Sequence, residues 1–325
     1  MWDEIALAGA GAYALAAMTY VFTLRGEVQH DSLKQYLRKG WPVFAPMNCL
    51  LYLCSQRRAR GAILDVADFP ELAPLRDNWE SIRDEALALH RANHLEATSR
   101  PESAAYYDIG FRTFYKYGWR KFYLSWYGRT QPSARRLCPQ TVALLDTLPT
   151  VNGAMFSMLP VGGQLTRHSD PAACSLRYHL GLSTPNDDAC FINIDGREYS
   201  WRDGQALIFD ETHLHFARND ATSDRLILMC DVDRPVNRIG RPLNALYRWM
   251  MGCTLVPNME GDRRGMANRI FAAIAPQLQR AKTLKQTNRP AYRLLKHTVN
   301  GTLLLLVALI AWGLLQLVSA ALGLG

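Results

Sequence analysis

A run of short segments between residues 154 and 232, in which apolar and polar side chains alternate, constrains the fold more than any other feature of this chain. A period of two is typical of β-strands. Asp195-Gly196 separates two of the segments and is a strong signal for a two-residue hairpin. The predicted strands are 154–159, 175–182, 189–194, 198–201, 205–209, 215–219 and 225–232. Short strands at even spacing predict a mainly β core, a barrel or jelly roll that encloses a pocket between two sheets.

The regions around this core have other patterns. Residues 74–98 carry apolar side chains near helical spacing, with charges between them, and predict a helix. A further strand is predicted at 119–126, and residues 241–299 predict a basic helical region. Residues 41–54 are apolar but too short to cross a bilayer. They either form an interfacial or re-entrant membrane segment, or are buried against the rest of the chain.

Two long apolar runs lie at the ends of the chain. Residues 5–24 contain no charged side chain, and 302–324 form a second such run. At about 1.5 Å per residue, twenty helical residues span roughly 30 Å, enough to cross the bilayer core. A buried core helix is the alternative, but core helices rarely stay apolar on every face. A cleaved signal peptide is disfavoured because Asp3 and Glu4 lead the first run. We therefore predict a transmembrane helix at each end.

The distribution of charge predicts an orientation. The net charge is +8, and basic residues follow the first apolar run and precede the second. Both groups lie on the side of the middle segment, which the positive-inside rule assigns to the cytoplasm. Basic residues beside a membrane are attracted to anionic headgroups. Because no nucleic-acid-binding motif is visible, we expect no nucleic acid as a partner.

These observations divide the chain into five regions. The seven cysteines are odd in number and include no C-x-x-C, which favours a reducing compartment over a disulfide framework or a zinc cluster. The predicted regions are an N-terminal transmembrane anchor (1–25), a juxtamembrane or interfacial segment (26–60), a domain (61–240) with its jelly-roll core at 150–235, a basic helical juxtamembrane segment (241–300) and a C-terminal transmembrane helix (301–325).

Histidine and aspartate residues in the core form a candidate metal site. His168 and Asp170 are two residues apart, so an extended backbone would point both to one face. His215 lies downstream, with His213 as a second histidine that would share its face. Two imidazoles and a carboxylate are the ligand set of non-haem Fe(II) oxygenases. A solvated histidine and a turn-capping aspartate before Pro171 would produce the same pattern.

Cationic side chains accompany these ligands. In the strand 175–182, Arg177 and His179 face one side and apolar residues face the other, and Arg225 opens the strand 225–232. A guanidinium in a dry pocket needs a partner, and its geometry matches a carboxylate. A dicarboxylate that chelates the metal would supply that partner. Alternatively, Arg177 pairs with an internal acid such as Asp210 or Asp231.

The sequences around these residues resemble a known family. The segments FSMLPVGGQLTRHSD, SLRYHLGL, YSWRDGQALIFDETHLH and DRLILMCDVDRP are similar to the aspartyl/asparaginyl β-hydroxylases. Together with its flanks, the chain more closely resembles one branch of this family, the bacterial lipid A acyl-chain hydroxylases that form 2-hydroxymyristate. The similar flanking segments are 20–30, 44–54, 79–87 and 118–128, together with the terminal hydrophobic helix.

The resemblance implies a fold and a role for each site residue. The fold implied is a cupin-like double-stranded β-helix with flanking helices, and 61–240 becomes a hydroxylase domain. His168 and His215 would bind Fe(II). Ser157, Arg177, His179 and Arg225 would hold 2-oxoglutarate.

Asp170 departs from the animal protein hydroxylases of the family, which lack a carboxylate at its place. Its presence predicts a full triad of His168, Asp170 and His215. The family pattern favours His215 over His213 as the second histidine ligand.

The resemblance also implies a reaction. Iron, 2-oxoglutarate and O2 would hydroxylate the 2-position of a fatty acyl chain of lipid A, at the cytoplasmic face of a bacterial inner membrane, with release of succinate and CO2. The alternative is a membrane-tethered hydroxylase of aspartyl or asparaginyl side chains in proteins, which would use the same site. A third alternative is a non-catalytic jelly-roll module that binds metal or lipid.

Overall fold

The computed structural model describes residues 2–110, 117–302, 305 and 313. The chain forms a larger unit, Met1–Arg269, and a smaller one, Ile270–Gly325. The helices are α1 (Trp2–Thr23), α2 (Leu33–Lys39), α3 (Ala45–Cys54), α4 (Ala73–Asp77), α5 (Trp79–Arg91), α6 (His94–Ala97), α7 (Pro132–Leu137), α8 (Pro139–Asp146), α9 (Arg241–Gly252) and α10 (Met266–Thr287). The strands are β1 (Ile63–Leu64), β2 (Arg120–Trp126), β3 (Arg129–Thr130), β4 (Val151–Leu159), β5 (Gln164–His168), β6 (Ser175–Ser183), β7 (Cys190–Ile194), β8 (Arg197–Ser200), β9 (Ala206–Phe209), β10 (His215–Asn219) and β11 (Arg225–Asp233).

Two sheets form the core of the larger unit. The larger sheet has the strand order β1-β9-β6-β11-β4-β2-β3, and the smaller has the order β5-β10-β7-β8. Paired strands in both sheets are antiparallel. The eight strands from β4 to β11 divide equally between the sheets, as in a double-sheet jelly roll. The prediction of a mainly β core flanked by helices is therefore confirmed.

Apolar side chains fill the space between the sheets. Met155, Ile227 and Met229 of the larger sheet pack against Leu165 and Ile192 of the smaller. Burying each such side chain contributes about 1.5–3 kcal/mol. The outer face of β6 packs against α5, so apolar residues cover this strand on one side and the polar site residues are left to the other.

Each predicted strand of the core is present, with ends within three residues of those expected. The predicted hairpin turn is also present, since Asp195 (φ 51°) and Gly196 (φ 88°) both adopt the left-handed conformation that such a turn requires. β5 was not predicted, because only one of its five residues, Leu165, is strongly apolar. Residues 74–98 are largely helical, in α4, α5 and α6, as predicted.

Residues 41–54 form a 3-10 turn, Pro42–Phe44, followed by α3. The inner side of α3 is buried. Leu51 is fully buried in a cluster with Val236 and Tyr247, and the rings of Phe44 and Tyr247 stack at 6.1 Å. Of the two alternatives for this segment, burial against the larger unit is observed for one side of the helix.

The N-terminal apolar run is helical, and α1 packs on α3. Tyr13 Oη donates to the carbonyl oxygen of Pro46 (2.8 Å), and Ala17 is buried. Over the part of the chain that the structure describes, no helix combines the length and the apolar character of a membrane span. The predicted N-terminal transmembrane anchor (1–25) is therefore not confirmed. The predicted C-terminal transmembrane helix (301–325) lies almost entirely outside the described residues.

Candidate metal centre

His168, Asp170 and His215 come together at one end of the smaller sheet. β5 ends at His168 and β10 begins at His215, and antiparallel pairing places the two residues directly opposite each other. Their ring centroids are 4.3 Å apart. Asp170 Oδ1 lies 3.4 Å from His168 Nε2, and one ligand atom from each of the three residues lies within 4.8 Å of the others. The spacing is that of side chains able to hold one metal ion.

The backbone orients both imidazoles. His168 Nδ1 lies 2.8 Å from the carbonyl oxygen of Thr166, and His215 Nδ1 lies 2.9 Å from that of His213. A carbonyl oxygen only accepts, so each Nδ1 carries the proton and each Nε2 is left as a lone-pair donor for a metal. Burial, followed by the neighbouring His168, lowers the pKa of His215 to about 3. His215 is thus neutral at physiological pH, the form in which an imidazole binds metal.

Asp170 supplies the negative charge of the cluster. Burial alone would raise its pKa, but hydrogen bonding and charge from His168, together with the charge of Arg177, outweigh burial and lower the pKa. The Asp170 backbone N–H donates to the carbonyl oxygen of Glu211 (2.8 Å), which ties this residue to the loop before β10. Two imidazoles and a carboxylate favour iron of the non-haem oxygenase type.

Arg177 is paired with internal acids. Its guanidinium contacts Asp170 (3.0 Å), Glu211 and Asp231 (3.2 Å). The alternative of an internal partner is therefore what the structure shows, with Asp231 as one partner and Asp210 not among them. Arg177 still lines the cavity beside the three candidate ligands. Its predicted contact with a dicarboxylate stays a prediction.

Arg225 presents the opposite case. Its side chain is 2% exposed, lies 4.4 Å from the ring centroid of Trp201, and forms no ion pair with any described residue. Its Nε and Nη1 have no hydrogen-bond partner among the described residues, and neither do Ser157 Oγ and His179 Nε2. Burial lowers the pKa of Arg225 to about 10, which leaves it charged at neutral pH. A buried charge without a partner is costly, so this group is suited to receive an anionic ligand.

The cavity that joins the three candidate metal ligands to His179 and Arg225 is narrow, and Ser157 is not among the residues that line it. Apolar side chains from both sheets, including Leu165, Ile192 and Phe209, complete its wall. Its volume is about 30 Å³, comparable to the share of one water molecule in the liquid. A bound dicarboxylate would therefore displace lining side chains.

The loop between β9 and β10 is fixed at several residues. Asp210 accepts from Arg25 Nη2 (2.6 Å) and lies 2.8 Å from Arg234 Nη2, and Thr212 Oγ1 accepts from Arg25 (2.9 Å). His213 is not part of the three-residue cluster, and its Nδ1 lies 3.3 Å from Asp195. The family pattern likewise favours His215 over His213 as a ligand.

Arg25 and Glu211 support the site but were not predicted from the sequence. The charge pattern placed Arg25 beside a membrane, and no local spacing indicated its partners.

Comparison with known proteins finds a family that part of the chain resembles. Residues 76–235 match the model of the aspartyl/asparaginyl beta-hydroxylase family. The ornithine lipid ester-linked acyl 2-hydroxylase of Rhizobium tropici is 32% identical over 184 residues, 56% of this chain and 64% of that protein. The aspartyl/asparaginyl beta-hydroxylase of Homo sapiens is 32% identical over 166 residues, 50% of this chain and 21% of that protein. The chain therefore matches less than two thirds of the length of either relative.

Solved structures of the same general kind are more distant. A Pseudomonas putida prolyl-4-hydroxylase is 16% identical, with a TM-score of 0.31 over 49% of this chain and 87% of that one. A 2OG-Fe(II) oxygenase-family protein of Burkholderia pseudomallei is 15% identical, with a TM-score of 0.26 over 37% of this chain and 69% of that one. Similarities this low carry no argument. Over residues 76–235, fewer than half of its residues, the chain is similar to the aspartyl/asparaginyl beta-hydroxylase family.

Proposed function

We propose that this enzyme is an Fe(II)- and 2-oxoglutarate-dependent dioxygenase that hydroxylates the 2-position of a fatty acyl chain of lipid A. The observation that carries the proposal is the cluster of His168, Asp170 and His215 beside the buried guanidinium of Arg225. A dioxygenase of this kind needs a site for the metal and a cation for the carboxylate of its co-substrate. The cluster offers the first, Arg225 offers the second, and both line one cavity, which supports this reaction class.

The donor set fits iron. His168 and His215 each present Nε2, because their Nδ1 atoms are bonded to backbone carbonyl oxygens. Asp170 adds a carboxylate and completes a triad that leaves further coordination positions open. These three residues would hold Fe(II) and fix its position beside the cavity.

The buried polar atoms fit 2-oxoglutarate. Arg225 would receive one carboxylate of the co-substrate, and Ser157 Oγ and His179 Nε2 are further polar atoms without partners among the described residues. Arg177 lies at the same cavity, where its acidic partners would moderate its attraction for the co-substrate. Bound iron and 2-oxoglutarate together supply, with O2, the oxidising power to hydroxylate a C–H bond. The protein contributes orientation and a cavity whose wall includes apolar side chains beside the polar site residues.

The lipid substrate is supported by the rhizobial relative, whose name describes 2-hydroxylation of a lipid acyl chain. The similarity of the flanking segments to lipid A hydroxylases supports lipid A in particular. A lipid substrate requires the enzyme to act at a membrane, and the predicted location is the cytoplasmic face of a bacterial inner membrane. The alternative substrate is an aspartyl or asparaginyl side chain of a protein, as the name of the human relative describes.

One experiment separates these substrates. Purified enzyme would be supplied with Fe(II), 2-oxoglutarate and O2, with either lipid A or an asparagine- and aspartate-containing peptide. We expect succinate formation to depend on lipid A, and mass spectrometry to locate one added oxygen on an acyl chain. His215→Ala enzyme is the control. Oxygen added to the peptide and not to lipid A would select the protein-hydroxylase alternative, and succinate formation from neither would refute the proposal.

A further inference from the structure

We propose that the 3-10 turn Pro42–Phe44, α3 and α9 form a docking face for an anionic lipid surface. The two parts of this face are distant in sequence but adjacent in the fold. Phe44 stacks on Tyr247, and Tyr247 Oη donates to Asn48 Oδ1 (2.6 Å). The backbone N–H of Asn237 donates to the carbonyl oxygen of Cys54 (2.8 Å), which joins the end of α3 to the segment before α9. These contacts bury one side of each helix and leave another side outward.

The outward sides carry large apolar residues. The exposed fractions are 73% for Val43, 43% for Leu50, 75% for Leu53, 47% for Leu246 and 68% for Trp249. Single exposed apolar side chains are ordinary on protein surfaces, whereas a group on adjoining elements marks a surface that binds something. Tryptophan is enriched at membrane surfaces, where its ring suits the level of the headgroups.

The charge of this face selects an anionic partner. Neither 33–60 nor 235–252 contains a single aspartate or glutamate. The exposed cations of the two segments include Lys34, Arg38, Arg57, Arg238 and Arg241. Interfacial membrane segments combine apolar side chains that enter the acyl region with bordering cations that contact phosphate groups. Two separate stretches of sequence share this composition. The combination of exposed apolar side chains with bordering cations is therefore a feature of the folded surface.

The face also lies beside the candidate metal centre. Lys39 Nζ donates to the carbonyl oxygen of Arg167 (3.2 Å), and Asn48 Nδ2 donates to that of Pro171 (2.9 Å). These carbonyls precede and follow His168 and Asp170. Docking through this face would hold the metal centre close to a lipid acyl chain, although the docking itself does not depend on the hydroxylase proposal. It also requires no membrane-spanning helix.

A local probe tests the face directly. Leu53→Cys and Trp249→Cys, in the full chain, would each be labelled with an environment-sensitive nitrobenzoxadiazole fluorophore. Val161→Cys is the matched control, because Val161 is also exposed (51%) but lies on the turn between β4 and β5. Unsubstituted protein labelled in parallel corrects for the native thiols. Vesicles would contain phosphatidylcholine alone or with phosphatidylglycerol, each with a trace of nitroxide-labelled lipid as a quencher.

With phosphatidylglycerol vesicles, we expect labels at 53 and 249 to shift to shorter wavelength and to be quenched, and the label at 161 to remain unchanged. Because the signal is local, it reports on this face even if another segment also holds the chain on vesicles. Labels at 53 and 249 that are quenched no more than the label at 161 would overturn the proposal. Shielding without vesicles that grows with protein concentration would overturn it in favour of contact between two copies.

Charge reversal tests the electrostatic part. We expect Arg238→Glu combined with Arg241→Glu to weaken the apparent affinity for phosphatidylglycerol vesicles by about thirtyfold or more. The control pair is Arg197→Glu with Arg218→Glu, two exposed arginines of the smaller sheet. An equal loss in both pairs would show that only net charge matters and would overturn the assignment of this face.

Discussion

The imidazoles of His168 and His215 face each other across a pair of neighbouring strands, with ring centroids 4.3 Å apart. We expect His168→Ala and His215→Ala each to abolish detectable turnover, because each change removes one of the two proposed imidazole ligands. Turnover would be measured as succinate formation, and Fe(II) affinity by anaerobic titration. Far-ultraviolet circular dichroism would establish that the variants remain folded.

His213→Ala is the matched control for these variants. His213 is buried, two residues before His215, and faces Asp195 instead of the cluster. We expect this variant to keep its iron affinity within a few-fold of the original. Loss of iron binding in His213→Ala with retention in His215→Ala would reverse the assignment of the ligand.

Arg225→Met tests the proposed co-substrate contact. Methionine occupies the buried space without the charge, so the partner carboxylate would lose its cation. We expect the apparent KM for 2-oxoglutarate to rise about 30-fold or more, since losing one member of a buried charge pair costs about 2–5 kcal/mol. Arg197→Met, at an exposed position of β8, should leave KM unchanged. An unchanged KM in Arg225→Met would remove Arg225 from this role.

Asp170→Ala tests whether the cluster acts as a full triad. Arg177 keeps Glu211 and Asp231 as partners in this variant, so we expect the fold to persist. The metal would lose the one carboxylate of the described candidate cluster, and we expect Fe(II) affinity to fall at least tenfold with a parallel loss of turnover at limiting iron. Full activity with unchanged iron affinity would show that two histidines suffice.

Local patterns in the sequence predicted part of this structure. The alternation along β6 predicted that Arg177 and His179 share one face, and Asp195-Gly196 predicted its hairpin, because both depend on residues close in sequence. The pairing of Arg177 with Glu211 could not be predicted in this way. It depends on how the loop between β9 and β10 folds across the end of a sheet, and no spacing in the sequence indicates that conformation.

The supports of the metal centre were the least predictable part. Arg25 reaches Asp210 only because α1 lies against α3, and its position after an apolar run favoured a different interpretation. β5 also lacked a signal, since its strand conformation comes from pairing with β10 and not from its own alternation. The sequence therefore indicated the candidate ligands but not the elements that hold them in place.

Gly181 is a position where packing alone excludes a larger side chain. A Cβ atom here would lie inside van der Waals contact with the backbone carbonyl of Arg202. We expect Gly181→Ala to destabilise the protein by about 1–3 kcal/mol, because backbone cannot easily move aside. Chemical denaturation would measure the change. Gly11→Ala in α1, where nothing lies within 4 Å, should instead be neutral or slightly stabilising, and equal stability of the two variants would contradict the prediction.

Arg25 couples the N-terminal segment to the loop that carries His215. Its guanidinium donates to Asp210 and Thr212 and lies 3.5 Å from the ring centroid of Tyr52. Removing it leaves Asp210 with Arg234, so we expect Arg25→Ala to cost about 1.5–3 kcal/mol of stability, the contribution of charged hydrogen bonds. Because the same loop leads into β10, we also expect weaker Fe(II) binding. Arg25→Lys keeps the charge but loses the planar geometry of the guanidinium. Its stability and Fe(II) affinity should therefore lie between those of the original protein and of Arg25→Ala.

Denaturation of the metal-free protein and anaerobic Fe(II) titration would separate the two effects of Arg25. Arg91→Ala is the reference, because Arg91 is an exposed arginine at the end of α5, which packs on the outer face of the larger sheet. If Arg25 only stabilises the fold, Arg25→Ala will lose stability but bind iron as tightly as the reference. If it positions His215, iron affinity will fall in the order original, Arg25→Lys, Arg25→Ala, under conditions where all three are folded. Unchanged iron affinity across that series would contradict the positioning role and leave Arg25 as a structural support.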